Sequence, residues 1–176
     1  MKKKQATAPK DQPSICFIVE GFTEMHYVNL LNELFDKTYY VHNCKGGGAN
    51  GVLKKAQQFI EKNKENYNFF IIVYDTDTEG NESEKRKKEI KQDKGIYLER
   101  LNPCFEYCLL SHFQSPKGNS CGRVIDILKQ NHITDYDKND FDQLKKYLDK
   151  EKVEKMTEKY NCEAVKTYFI NDTTNL

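Results

Sequence analysis

Two apolar runs in this chain each end in acid. Ile15-Cys16-Phe17-Ile18-Val19 leads into Glu20 and Gly21, and Phe69-Phe70-Ile71-Ile72-Val73-Tyr74 leads into Asp75-Thr76-Asp77-Thr78-Glu79. Open α/β sheets place their chemistry beyond the carboxyl ends of strands. Asp75, Asp77 and Glu79 alternate, so in an extended segment their carboxylates point to one side. Such a set suits Mg2+, a hard ion that takes oxygen ligands and keeps several waters while binding phosphate; Mn2+ is the second choice. Glu20 either completes the cation site or acts as general acid or base. Glu79 has two open readings, a ligand or a solvated loop acid.

Several elements must position these acids. Residues 14–20 form a first strand, nearly all apolar, as befits burial on both faces. Thr23 caps a helix that begins at Glu24, with Tyr27, Leu30, Leu31, Leu34 and Phe35 along one face. Residues 38–42 read as a second strand. A glycine-rich connection, Cys44 to Gly51, precedes a helix marked by Val52, Ala56, Phe59 and Ile60 and ending near Asn63. The strand 69–75 follows, then a polar stretch over 79–95 and a short strand at 96–98. Asn102 and Pro103 form a helix start, cap and first position, for a helix over 104–113. Residues 114–122 are a loop. Val124, Ile125, Ile127 and Leu128 mark a further helix, and 135–160 form one or two charged helices. Phe141, Leu144, Tyr147, Leu148, Val153 and Met156 supply their inner face. The alternation of strand and helix predicts an α/β three-layer sandwich with a mainly parallel central sheet. Residues 14–176 are expected to form one domain with 120–160 a helical appendage, and 1–13 to be a disordered basic lead-in.

Composition bounds the function. The 176 residues carry 31% charged and 38% hydrophobic side chains, with a formal net charge of +1. That balance excludes a basic nucleic-acid coat, although a local basic face remains open. No apolar run approaches the roughly 20 residues a bilayer requires, and no apolar segment follows the basic start, so a cytoplasmic location is expected. The six cysteines include no C-x-x-C and read as reduced, buried small hydrophobes. Cys104, Cys108 and His112 can share a helical face, but one helix cannot wrap a tetrahedral zinc ion. Gly46-Gly47-Gly48 lacks the pattern of a phosphate-binding loop; its backbone N–H groups either approach a phosphate ahead of the helix or, the favoured reading, it is a plain αβ connection. Lys85-Arg86-Lys87-Lys88, with Lys91 and Lys94, is either a cationic face beside the acids or a salt-bridged helix with Glu82, Glu84 and Glu89.

Three blocks give a more specific direction. Val19-Glu20-Gly21-Phe22-Thr23-Glu24, then Tyr74-Asp75-Thr76-Asp77, then Asn102-Pro103-Cys104-Phe105-Glu106 with Leu110-Ser111-His112-Phe113, resemble the RloB-like family. A Glu-Gly after the first strand and a later strand ending in D-x-D also look like the Toprim domain of topoisomerases, primases and small nucleases. The resemblance spans residues 19–113, and its usual D-x-D-E is D-T-D-T-E here. It implies a Toprim-like (Rossmann-like) fold with Glu20 as general acid or base and Asp75 and Asp77 as metal ligands. Glu24 would be a second acid facing the cavity, or only a first-turn helix acid favoured by the dipole. Glu106, beside an apolar helix face, needs a partner or a role. His112 would partner substrate phosphate or Glu106, or be a hydrogen-bonded core histidine.

The function expected from that resemblance is Mg2+-dependent hydrolysis of RNA, including transfer RNA, or of DNA. Its setting would be an antiviral, abortive-infection system. A partner ATPase or another subunit of the defence system, and a homodimer, belong to the same expectation. Two alternatives stand beside it: a nucleotidyl transferase, and a non-catalytic nucleic-acid-binding or sensor module.

Overall fold

The structure, a computed structural model, describes residues 14–90, 94–115, 120–140, 142–160 and 163–171. The expected lead-in 1–13, Lys91, Phe141 and Cys162 lie outside the described residues. Four strands are present among them: β1 (Ile15–Val19), β2 (Tyr40–Asn43), β3 (Phe69–Asp75) and β4 (Ile96–Leu101). They pair in the order β2-β1-β3-β4, and every pairing is parallel. The expected three-layer sandwich is therefore observed, with a wholly parallel sheet.

The apolar runs explain the two central strands. All five residues of β1 are buried, so it cannot carry the polar alternation of a half-solvated strand. Ile15, Phe17 and Val19 face one layer, while Cys16 and Ile18 face the other. In β3, Ile71 joins the first layer and Phe70, Ile72 and Tyr74 the second. Each such large apolar side chain contributes roughly 1.5–3 kcal/mol on full burial.

The helices divide between the two faces as right-handed crossovers require. On the first lies α1 (Phe22–Leu34), which links β1 to β2. On the second lie α2 (Gly48–Asn63), crossing from β2 over β1 to β3, and α3 (Asn81–Ile90), leading to β4. The chain thus turns one way out of β1 and the other way out of β3. The crevice between the carboxyl ends of these neighbours is the topological switch point of the sheet.

The rest of the chain thickens the first layer. It comprises α4 (Phe105–Ser111), α5 (Cys121–Asn131), α6 (Gln143–Tyr147), α7 (Lys150–Tyr160) and α8 (Glu163–Val165), the last continuing as a π-helical turn over Lys166–Ile170. Val124, Leu128, Leu144, Leu148, Val153 and Met156 are all buried in the same cluster as β1 and α1. Phe169 and Tyr168 close it, their rings 5.5 and 5.7 Å from that of Phe17. No helix among the described residues is long and apolar enough to cross a membrane.

Several boundaries differ from expectation. Helix α1 starts at Phe22 with Gly21 as its cap, so Thr23 lies buried inside the first turn instead of capping it. Helix α2 takes in Gly48 to Gly51, half of the expected loop. The polar stretch after β3 forms α3, and β4 runs on to Leu101. Cys104 caps α4 in place of Asn102, the Asn102–Pro103 peptide is cis, and Pro103 lies ahead of the helix.

Candidate active site

The switch point gathers four carboxylates. Glu20 follows β1, and its Oε1 accepts the Gly48 N–H at 3.1 Å while Oε2 accepts the Asp75 N–H at 3.4 Å. The glycine loop is what makes this possible. Gly48 has φ +61°, and a Cβ there would lie 2.8 Å from Thr78 Oγ1, so the backbone reaches Glu20 only because the side chain is missing. The Ala49 N–H is likewise taken, by Thr78 Oγ1 at 2.8 Å. The first amides of α2 therefore serve Glu20 and Thr78 rather than a phosphate, as the reading of a plain αβ connection anticipates.

Asp75 ends β3. Its Oδ1 accepts the Phe105 N–H at 2.9 Å and so caps α4 from another strand. Burial, with the charges of Glu24, Glu20 and Glu106, pushes its carboxyl up to about 8. Glu24 projects from the first turn of α1, where its Oε2 accepts the Gly21 N–H at 3.2 Å. Burial raises it to about 7 against the lowering effect of its backbone hydrogen bond, and Glu106 and Glu20 add to the rise. Both readings of Glu24 hold at once: it caps its helix, and it feels the other acids. Glu106, on α4, is 1% exposed. Its Oε1 accepts the Tyr136 hydroxyl at 3.1 Å and pairs with Lys138 Nζ at 2.5 Å.

Among the described residues, ligand atoms of Asp75, Cys104 and Glu106 all lie within 4.8 Å of one another. The two carboxylates offer the oxygen donors that hard divalent cations take, whereas the Cys104 thiol, which burial pushes far up, suits neither Mg2+ nor Mn2+. The like charges crowded there leave a field that such an ion relieves. A lysine ammonium already occupies part of that role.

The other expected residues lie elsewhere. The alternation of Asp75, Asp77 and Glu79 does not survive, because β3 stops at Asp75 and the Glu79 N–H turns back to Thr76 O at 3.1 Å. Asp77 is exposed at the rim, its Oδ2 3.6 Å from Cys121 Sγ; the Cys121 thiol in turn meets that of Cys104. Glu79 is held by Arg100, by Lys87 at 3.0 Å and by the Tyr74 hydroxyl at 3.1 Å. The Arg100 bond holds its carboxyl down at about 2 despite some desolvation. The three acids, expected on one side of an extended segment, thus face three different partners. His112 meets the Tyr27 hydroxyl at 3.0 Å, and burial lowers it to about 4, which favours the reading of a hydrogen-bonded core histidine. Cys104, Cys108 and His112 form no ligand set. In the basic run, Lys87 is buried against Glu79 and Glu84, and Arg86 reaches Asn50 and Gln57. These two cations hold α3 in place, while Lys85 and Lys88 are exposed.

Cys104, weighed only as a zinc ligand, Thr23, read as a helix cap, and Tyr136 and Lys138 were not expected beside these acids. Thr23 hydrogen-bonds to Tyr136, which in turn reaches Glu106. Tyr136 and Lys138 sit in a turn-rich stretch, Asp135 to Asp140, that lacks periodicity and lies far from the acids in the chain. Cys104 stood next to Glu106 in one of the diagnostic blocks, which was the available signal.

A parallel α/β sheet with buried acids at its switch point defines the general class. The family of RloB-like proteins matches residues 15–174, and the chain belongs to it. No curated protein and no solved structure matches the chain.

Proposed function

We propose that this chain is a divalent-metal-dependent phosphodiesterase acting on nucleic acid: a Toprim-like nuclease that cuts RNA, transfer RNA included, or DNA in antiviral defence. The observation that carries the reading is the convergence of Glu20, Glu24, Asp75 and Glu106 at the β1/β3 switch point, where burial, with the neighbouring acids adding to it, lifts two of the carboxyls to about 7 and 8. Such crowding has a structural cost and is characteristic of sites that bind a cation.

In this reading Asp75 and Glu106 hold Mg2+ or Mn2+, with Asp77 at the rim. The ion, when bound, neutralises charge developing on the phosphate. Glu20, half-exposed and fixed by two backbone N–H donors, takes the proton of the attacking water. Glu24 completes the negative field. Tyr136 and Thr23 orient Glu106. A partner ATPase or other subunit, a second copy of the chain and a cytoplasmic setting belong to the same proposal.

The test is incubation of the protein with labelled RNA and DNA in Mg2+, Mn2+ or EDTA, alone and with the products of neighbouring genes. Metal-dependent cleavage is expected, reduced at least 100-fold in Glu20→Gln and Asp75→Asn, the scale of losing one proton-transfer group. Absence of cleavage in every condition would overturn the nuclease reading and leave a binding or sensor module.

A further inference from the structure

The acid cluster already contains a cation of its own. Lys138 lies between α5 and α6, and its ammonium sits 2.5 Å from Glu106 Oε1, a carboxylate oxygen that also accepts the Tyr136 hydroxyl. Its charge is felt by Glu106, Glu24 and Asp75. The two partners are unequally placed: the Glu106 side chain is 2% exposed, that of Lys138 54%. The carboxylate is thus fixed in the protein, while the ammonium has solvent on one side and room to leave.

The loop that carries Lys138 is built rather than loose. Gln143, 2% exposed, accepts the Asp137 N–H at 2.7 Å and donates to the Asp135 carbonyl at 2.5 Å, tying the loop to the start of α6. The Tyr147 hydroxyl donates to Asp135 Oδ1 at 2.8 Å, and Asp137 Oδ1 accepts the Asn139 N–H at 2.9 Å. Ile133 and Tyr136 are buried in the core on the N-terminal side of Lys138. The loop backbone is thereby held over the acids while the lysine side chain keeps half of its surface open to solvent.

We propose that Lys138 is the resident cation of this site: it neutralises Glu106 until a divalent ion arrives, then yields the carboxylate and turns its ammonium to the phosphate of the substrate. The inference rests on the nuclease reading for the identity of that substrate, but the exchange of ammonium for divalent ion does not. A divalent ion on Glu106 and Asp75 repels the ammonium, and the exposed flank of Lys138 offers the way out. Metal entry and phosphate capture are then coupled through one side chain.

Lys138→Met and Lys138→Arg test this in the full-length protein, with far-ultraviolet circular dichroism to verify folding. Mn2+ affinity is read from the free-ion electron paramagnetic resonance signal without nucleic acid. Binding of a labelled oligonucleotide is read by fluorescence anisotropy in Ca2+, which limits turnover. Lys138→Met should bind Mn2+ roughly three- to tenfold more tightly, since the competing ammonium is gone. It should bind the oligonucleotide several-fold more weakly, with a salt slope lower by about 1. Lys138→Arg, which keeps the charge, should stay near wild type in both. Mn2+ affinity unchanged or weakened in Lys138→Met would overturn the exchange. Tighter Mn2+ with unchanged oligonucleotide binding would overturn the phosphate role. A wild-type protein that binds no oligonucleotide would count against the nuclease reading instead, and the Mn2+ titration would still decide the exchange.

Discussion

Asp75 is under opposed demands. Its Oδ1 caps α4 through the Phe105 N–H, while its charge faces Glu20, Glu24 and Glu106. An acid whose folded-state carboxyl is raised to about 8 from 3.8 holds a proton in the fold that the unfolded chain releases at lower pH. Its contribution to stability is complete below about pH 4 and lost as pH rises through 8; Glu24, raised to about 7, behaves alike. Metal-free protein should therefore melt at higher temperature at pH 5.5 than at pH 8.5. Asp75→Asn keeps an oxygen for the Phe105 N–H and removes the charge. At pH 8.5 it should gain about 1–2 kcal/mol, the size of a pK unit or so of relieved repulsion, and should lose stabilisation by Mn2+. Differential scanning fluorimetry with and without Mn2+ gives both numbers, and a destabilised variant at pH 8.5 would contradict the assignment of Asp75 to the crowded cluster.

At the scale of elements, the start of α2 decides where Glu20 points. Gly48 combines φ +61° with a Cβ position 2.8 Å from Thr78 Oγ1, and its N–H holds Glu20 Oε1. Gly48→Ala should cost about 1–3 kcal/mol through the strained backbone and the clash. It should also reduce cleavage, because Glu20 loses one of the donors that fix it. Urea unfolding beside the cleavage assay measures the two effects; full stability and activity in the alanine variant would show that the loop does not position Glu20. The sequence placed the glycine run ahead of α2, which takes in its second half, but left its purpose open, since the partner of the Gly48 amide is 28 residues earlier in the chain. Helix α3 was legible only as one of two readings of the basic run, for a related reason. Its stretch has too few apolar residues to show a helical stripe, and its stability comes from Lys87 buried against Glu79 and Arg86 against Asn50 and Gln57.

At the scale of the molecule, the C-terminal helices are one with the core. Leu128 and Val153 are fully buried in the cluster that holds β1, and Lys138 is delivered to the acids by the loop between α5 and α6. Leu128→Ala should cost about 2–5 kcal/mol, read as a lowered urea midpoint with unchanged slope, and the chain should unfold in one transition. A second, separate transition for the C-terminal helices would show that they form an independent unit. The sequence by itself pointed to a mainly parallel α/β architecture, because short apolar runs rich in β-branched and aromatic residues alternate with helical patterns. It also determined that Glu20 and Asp75 lie at strand ends. The family blocks pointed to Glu24 and Glu106 as their neighbours, and the tertiary structure decided which further groups meet them. Asp77 and Glu79 leave the strand where β3 stops, and Glu79 is claimed by Lys87 and Arg100. His112 turns to Tyr27, while Cys104, Tyr136 and Lys138 come in beside Glu106 from elements whose packing no local pattern encodes. Periodicity reports which face of an element is buried; it does not report which distant side chain that burial brings to a given carboxylate.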